Sequence, residues 1–255
     1  MKRLSTKEYL AITFEEVKYM HGIEILNKKG METPDIQGVL FDMDGVILDT
    51  EKLYTRFWQE AAHTLGYPMT KEQALGMRSL SRAIGKSRIQ SYFGPDADYV
   101  AIRDKRIELM NAFIEKEGVE VKPGIHELLK YLKENKIKTS IATSSPLDRA
   151  LKHLSSVGLD KAFDEITTGY MVEKGKPEPD IYLFAAEKLG LKPENCLVIE
   201  DSPSGILAGS RAGCIAVMVP DQDQPDNATK ELLYAKVDNL ALITDLLEII
   251  KRNEK

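Results

Sequence analysis

Four short clusters in this sequence carry side chains suited to chemistry: Asp42-Met43-Asp44-Gly45, Thr143-Ser144-Ser145-Pro146, Lys174-Gly175-Lys176-Pro177 and Glu200-Asp201. If the backbone stays near-extended through Met43, the carboxylates of Asp42 and Asp44 project to one side and lie close, while Gly45 lets the chain turn away. Two like charges so placed repel. A bound divalent cation offsets that repulsion, and so does a proton retained on one carboxyl. Taken alone, Asp-x-Asp-Gly reads as an ordinary acidic turn, Lys176 as a solvated surface lysine and Glu200-Asp201 as a pair of acids at a helix N-terminus.

The elements around these clusters change the weighting. Val39, Leu40 and Phe41 form an apolar run suited to a strand buried on both faces, and it stops at Asp42. From residue 121 onward strands and helices alternate. Pro123-Gly124 opens a helix to about Asn135, Ile137–Ala142 reads as a strand closed by Thr143, Ser144 and Ser145, and Pro146 starts the next helix. Phe163–Thr168 is a short strand, Ile181–Leu189 a helix and Cys196–Ile199 a buried strand. After Glu200-Asp201, Ser202 is a good N-cap and Pro203 a good first helical residue for a segment to Ala212. Ile215–Val219 is a further strand and Leu240–Ile250 a closing helix. The alternation predicts an α/β fold, a parallel sheet with helices on both faces. Ligand sites in such sheets lie beyond the carboxyl ends of the strands. Asp42/Asp44, Thr143/Ser144 and Glu200/Asp201 stand at three such ends, and Pro177 biases Lys176 toward an extended backbone that could aim its ammonium at them.

Between residues 51 and 120 no strand is evident. Leu53, Phe57, Ala61 and Leu65 recur at helical spacing, as do Ile102, Ile107, Met110 and Ile114. The intervening Arg78, Arg82, Lys86 and Arg88 put four positive charges in eleven residues. On a helix, Arg78, Arg82 and Lys86 would form one basic stripe, either a solvated face or a surface for an anionic substrate. Residues 1–36 precede the core. A possible capping box at Ser5 and Glu8 and the spacing of Leu10, Phe14 and Val17 predict a helix over about Thr6–Met20, followed by a linker.

The 255 residues, 43% hydrophobic and 29% charged, describe an ordinary globular chain long enough for a domain with an insertion. A formal net charge of −5 argues against nucleic acid as a partner and for a small molecule. No stretch approaches a membrane span, the N-terminus lacks a secretory apolar region, and Cys196 and Cys214 read as reduced core residues. A cytoplasmic protein is expected.

In order, F-D-M-D-G-V-I-L-D-T, I-A-T-S-S, G-K-P-E-P-D-I-Y and V-I-E-D-S-P-S-G-I resemble the four motifs of the haloacid dehalogenase superfamily of phosphatases, over about Gly38 to Val219. Within it the likeness is to the beta-phosphoglucomutase-like branch, whose helical cap follows the first motif. The resemblance implies a Rossmann-like core from 37–50 and 121–255, an all-helical cap over 51–120 and an N-terminal extension over 1–36. True dehalogenases lack the second motif Asp, present here as Asp44.

The expected chemistry is phosphoryl transfer. A carboxylate such as Asp42 attacks phosphorus to form an aspartyl phosphate, splitting one displacement into two. Each pair of like unit charges about 4 Å apart costs roughly 4 kcal/mol at an effective dielectric near 20, so a carboxylate approaching a phosphate dianion meets about twice that. Mg²⁺ held by Asp42 and Asp201, with Lys176 beside it, reverses the sign. By family analogy the Asp44 carbonyl and the Glu200 carboxylate complete the metal shell. Thr143 and backbone N–H groups near Ser144 would bind the phosphoryl oxygens. Asp44 would protonate the leaving alcohol and then activate water. The expected substrate is a small phosphorylated metabolite, a sugar phosphate or nucleoside monophosphate, with Arg78, Arg82 and Lys86 as candidate binders. A phosphosugar mutase is the alternative, and a low-activity regulatory or binding member of the fold a second. Mutases of this branch resemble this sequence but carry a histidine where Tyr54 stands. A phenol, with a reference pKa of about 10, cannot titrate near neutrality.

Overall fold

Val39, Leu40 and Phe41 lie in a strand whose every residue is buried, in a computed structural model that describes residues 22–26, 34–77, 80 and 82–253. The helix expected over Thr6–Met20 lies outside the described residues. In chain order the strands are β1 (Ile23–Ile25), β2 (Gly38–Phe41), β3 (Lys138–Thr143), β4 (Glu165–Thr168), β5 (Cys196–Glu200), β6 (Ile215–Met218) and β7 (Ala235–Val237). The helices are α1 (Glu51–Thr64), α2 (Lys71–Leu75), α3 (Arg82–Phe93), α4 (Tyr99–Glu117), α5 (Ile125–Glu134), α6 (Leu147–Ser156), α7 (Asp180–Leu189), α8 (Pro203–Arg211), α9 (Asn227–Leu232) and α10 (Ala241–Asn253). The chain divides into two compact units. One takes residues up to Ile47, Lys122–Ala150 and those from Lys161; the other takes Leu48–Val121 and Leu151–Asp160.

The first unit is a seven-stranded sheet in the order β1-β7-β6-β5-β2-β3-β4. Strands β2 to β7 pair parallel and β1 pairs antiparallel with β7. Side chains on β2 alternate between faces, and both sets are fully buried, so helices cover the sheet on two sides. On one side Leu40, Ala142 and Val198 pack with Ile181, Tyr182 and Ala185 of α7 and Ala208 of α8. On the other Phe41 meets the edge of the Phe163 ring at 5.6 Å. Cys196 and Cys214 are buried free thiols.

One expectation needs correction here. Residues 1–36 are not wholly outside the core, because β1 sets Ile23 opposite Val237 and Ile25 opposite Ala235, with both isoleucines buried. Three residues are too few for a period to show, and the sequence on either side reads as linker. The same brevity hides β7.

The second unit is helical. Helices α1 and α4 run where the spacing predicts, and α2 is an addition, started by a capping box between Thr70 and Gln73. Trp58, Ala61, Met69, Met77, Ile89 and Ile102 form its interior, with the Trp58 and Tyr99 rings stacked at 6.1 Å. Arg106, only 7% exposed, holds its guanidinium carbon 4.8 Å from the centre of the Tyr54 ring and 5.1 Å from that of Trp58.

Candidate active site

Asp42 is the first residue beyond β2, and its N–H still donates to Ile199 O at 2.9 Å, extending the pairing with β5 by one step. Gly45 then takes φ 89°, a conformation that suits glycine, and the chain leaves the sheet. Phe41 stands opposite Ile141 of β3 and Ile199 of β5, so the next residues along, Asp42, Ala142 and Glu200, share one level. Strand β2 is also where connections depart to opposite sides of the sheet, the position at which such folds open a crevice.

The Lys176 ammonium bridges that level. It donates to Asp42 Oδ1 at 2.5 Å, to Glu200 Oε1 at 2.6 Å and to Ala142 O at 3.0 Å. Three directed bonds at strand level distinguish it from a solvated lysine. Glu200, 1% exposed, accepts further bonds: the Tyr182 hydroxyl donates to Oε1 at 2.8 Å, and the Asp201 N–H, Ser202 N–H and Ser202 hydroxyl donate to Oε2 at 3.1, 3.3 and 3.1 Å. Ser202 caps α8 as expected, its Oγ accepting from Gly205 N–H. Gly205 itself lies against this carboxylate, since a Cβ added there would stand 1.8 Å from Glu200 Oε1.

Electrostatics follow from burial. Removal from water pushes the Asp42 carboxyl up to about 8, against the pull of Lys176. Burial works to lower Lys176 as well, but the Asp42 and Glu200 charges outweigh it and hold the ammonium above its usual range. The Tyr182 phenol is held well above its usual range, first by burial and then by Glu200 and Asp42, so it remains a donor.

Carboxylate oxygens of Asp42, Glu200 and Asp201, all buried, lie within 4.8 Å of one another. Fully ionised beside one ammonium, three such groups leave two negative charges uncompensated, which fits a divalent cation with oxygen ligands. Asp42 and Asp201 suit direct ligation best, because Glu200 already accepts from Lys176, Tyr182 and Ser202.

Asp44 is oriented separately: Ser145 Oγ donates to its Oδ2 at 3.0 Å. Thr143, 1% exposed at the end of β3, accepts the Ser145 N–H on Oγ1 at 3.0 Å and keeps its own O–H to donate. Ser144 is exposed. Sequence reasoning assigns backbone N–H groups near Ser144 to the phosphoryl oxygens and gives no separate task to its neighbour Ser145, the hydroxyl that reaches Asp44. It also missed Tyr182 and Gly205, whose signals were a tyrosine one helical turn past Pro177-x-Pro179 and a glycine early in a helix. Of the proposed substrate binders, Arg78 lies outside the described residues, Arg82 begins α3, and Lys86 is exposed on the same helix.

The chain is similar to proteins of named activity. A phosphorylated carbohydrates phosphatase of Thermotoga maritima is 32% identical over 216 residues, covering 85% of this chain and 99% of that protein. A beta-phosphoglucomutase of Bacillus subtilis is 34% identical, with 74% of this chain and 85% of that protein covered. Among solved structures, a HAD family hydrolase from Deinococcus radiodurans with bound phosphate and sodium superposes with a TM-score of 0.71 at 28% identity, over 86% of this chain and 97% of that one. The family model for haloacid dehalogenase-like hydrolases matches residues 36–213, a span that takes in Asp42, Asp44, Thr143, Lys176, Glu200 and Asp201, and the chain belongs to that family.

Proposed function

We propose that this hydrolase is a Mg²⁺-dependent phosphomonoesterase that works through an aspartyl phosphate on Asp42. The observation that carries this reading is the Lys176 ammonium held between Asp42 and Glu200, with a second acid, Asp44, oriented by Ser145. An Asp42 oxygen attacks phosphorus in line with the departing alkoxide. Asp44 gives that alkoxide its proton, then takes one from the water that cleaves the acyl phosphate, so one carboxyl serves both halves. The Ser145 bond to Oδ2 holds this carboxyl in one orientation. Thr143 and nearby N–H groups stabilise the phosphoryl oxygens, and Lys176 offsets the charge that builds on them. Mg²⁺, held by Asp42 and Asp201 with the Asp44 carbonyl, would supply the remaining positive charge.

The substrate class favoured is a sugar phosphate or a nucleotide-type monophosphate, in keeping with the carbohydrate-phosphatase relative. Arg78, Arg82 and Lys86 are the proposed selectors of its non-reacting part. A phosphosugar mutase is the second reading, supported by the beta-phosphoglucomutase relative. Tyr54 stands against it, since a phenol does not supply acid–base catalysis near neutrality. A purely regulatory role would not require this particular set of acids and lysine. Hydrolysis of p-nitrophenyl phosphate with Mg²⁺, abolished by EDTA and restored by Mg²⁺, tests the main reading. Conversion of beta-glucose 1-phosphate to glucose 6-phosphate faster than phosphate release would replace it with the mutase.

A further inference from the structure

Tyr182 sits in the first turn of α7 with no exposed surface, and the reaction as argued gives it no task. Its ring fills space among Leu40, Ala142 and Ile181, which a phenylalanine would do as well. The hydroxyl is another matter. Burying it costs free energy unless it is bonded, and among the described residues it donates to the oxygen of Glu200 that also receives Lys176. The ring meets the same ammonium, with Lys176 Nζ 5.1 Å from its centre. Both parts of one side chain therefore act on the same ion pair.

We propose that Tyr182 is a positioning residue for Lys176 and Glu200, a role that rests on the phosphatase reading above. The phenol occupies one acceptor direction of Glu200 Oε1, so the ammonium cannot take that oxygen for itself and is shared with Asp42 and Ala142 O. The ring face attracts the ammonium and limits how far it moves. Without the hydroxyl, the freed acceptor direction of Glu200 Oε1 lets the carboxylate turn and take a larger share of the ammonium. The ammonium is then drawn from Asp42, and the Glu200 carboxylate loses its fixed tilt beside the metal-ligating acids. Residues that orient such groups from behind typically affect metal affinity or activity by about 10- to 100-fold.

The test compares Tyr182→Phe with Tyr131→Phe in the full-length protein. Tyr131 donates to Glu248 at 2.6 Å in the same unit, so its change removes a similar bond away from the site. Calorimetric titration with Mg²⁺, competitive inhibition by inorganic phosphate, and kcat and KM for p-nitrophenyl phosphate are measured for each. Tyr182→Phe should weaken Mg²⁺ binding about tenfold and lower kcat/KM by a similar factor, with Tyr131→Phe within about twofold of wild type on both. Thermal midpoints of the two variants should fall alike. If Tyr182→Phe matches Tyr131→Phe in Mg²⁺ and phosphate affinity while wild type binds and turns over, the positioning role is overturned and the phosphatase reading stands. If wild type itself takes up no Mg²⁺ and hydrolyses nothing, both fall together.

Discussion

The strand-end cluster and the interior of the helical unit both bury charge, but they hold it differently. Glu200 and Lys176 are fixed by short directed bonds to named atoms on β2, β3, α7 and the start of α8. Arg106 donates to Met110 Sδ at 3.9 Å and also lays its guanidinium over the faces of Tyr54 and Trp58, a broad attraction that tolerates sliding. A directed network of short bonds sets positions to a fraction of an ångström and suits chemistry, whereas contact with two ring faces adds buried area and suits packing. The first should respond to changes of one atom. The second should respond to loss of bulk.

Four substitutions probe that contrast. Asp42→Asn changes one atom at nearly constant volume and should lower kcat by about 10⁴-fold or more, because the proposed nucleophile and a proposed metal ligand go together; activity retained in a folded sample would break the assignment. Gly205→Ala adds one methyl group at a position where the Glu200 carboxylate must move, since the obstructing atoms belong to that side chain and not to backbone. A loss of about 100-fold in kcat/KM is expected, with weaker Mg²⁺ binding, and normal kinetics would show the carboxylate to be less fixed than its bonds imply. Arg106→Leu should cost about 1–2 kcal/mol of stability in the helical unit. Trp58, the protein's single tryptophan, reports that change by its fluorescence in urea, and kcat for p-nitrophenyl phosphate should stay within about twofold. Lys86→Ala should be the mildest: no change in thermal midpoint, and about a threefold rise in KM for the preferred phosphorylated metabolite but not for p-nitrophenyl phosphate. Equal effects on both substrates would return Lys86 to the solvated face of α3.

The same contrast explains what was legible in the sequence. Asp42, Thr143 and Glu200 could be found because each ends a buried strand, and parallel register carries adjacent strand ends to one level without knowledge of any side-chain packing. Lys176 was legible through Pro177, which biases its backbone, and through its motif; its reach across the strand ends depends on a loop whose path local spacing does not encode. Ser145 is one of three neighbouring hydroxyls, and turn geometry decides which of them reaches Asp44. Tyr182 is core, but its hydroxyl has a partner 18 residues further on, which local pattern does not encode. The helices α1 and α4 followed from their period, whereas α2 is short enough that only its Thr70 cap marks it. Strands β1 and β7, three residues each, carry almost no pattern of their own and exist through each other.

That last pairing has a consequence for how the molecule is made. A ribosome delivers Ile23–Ile25 more than 200 residues before Ala235–Val237 arrives to receive it. Until then the early strand has no mate, and every shorter intermediate carries an unclosed sheet margin. Open margins of this kind recruit strands from other chains. Only at the end of synthesis, when the first-made strand pairs with the last, does that margin pass to β1, whose three residues make a poor template for further strands.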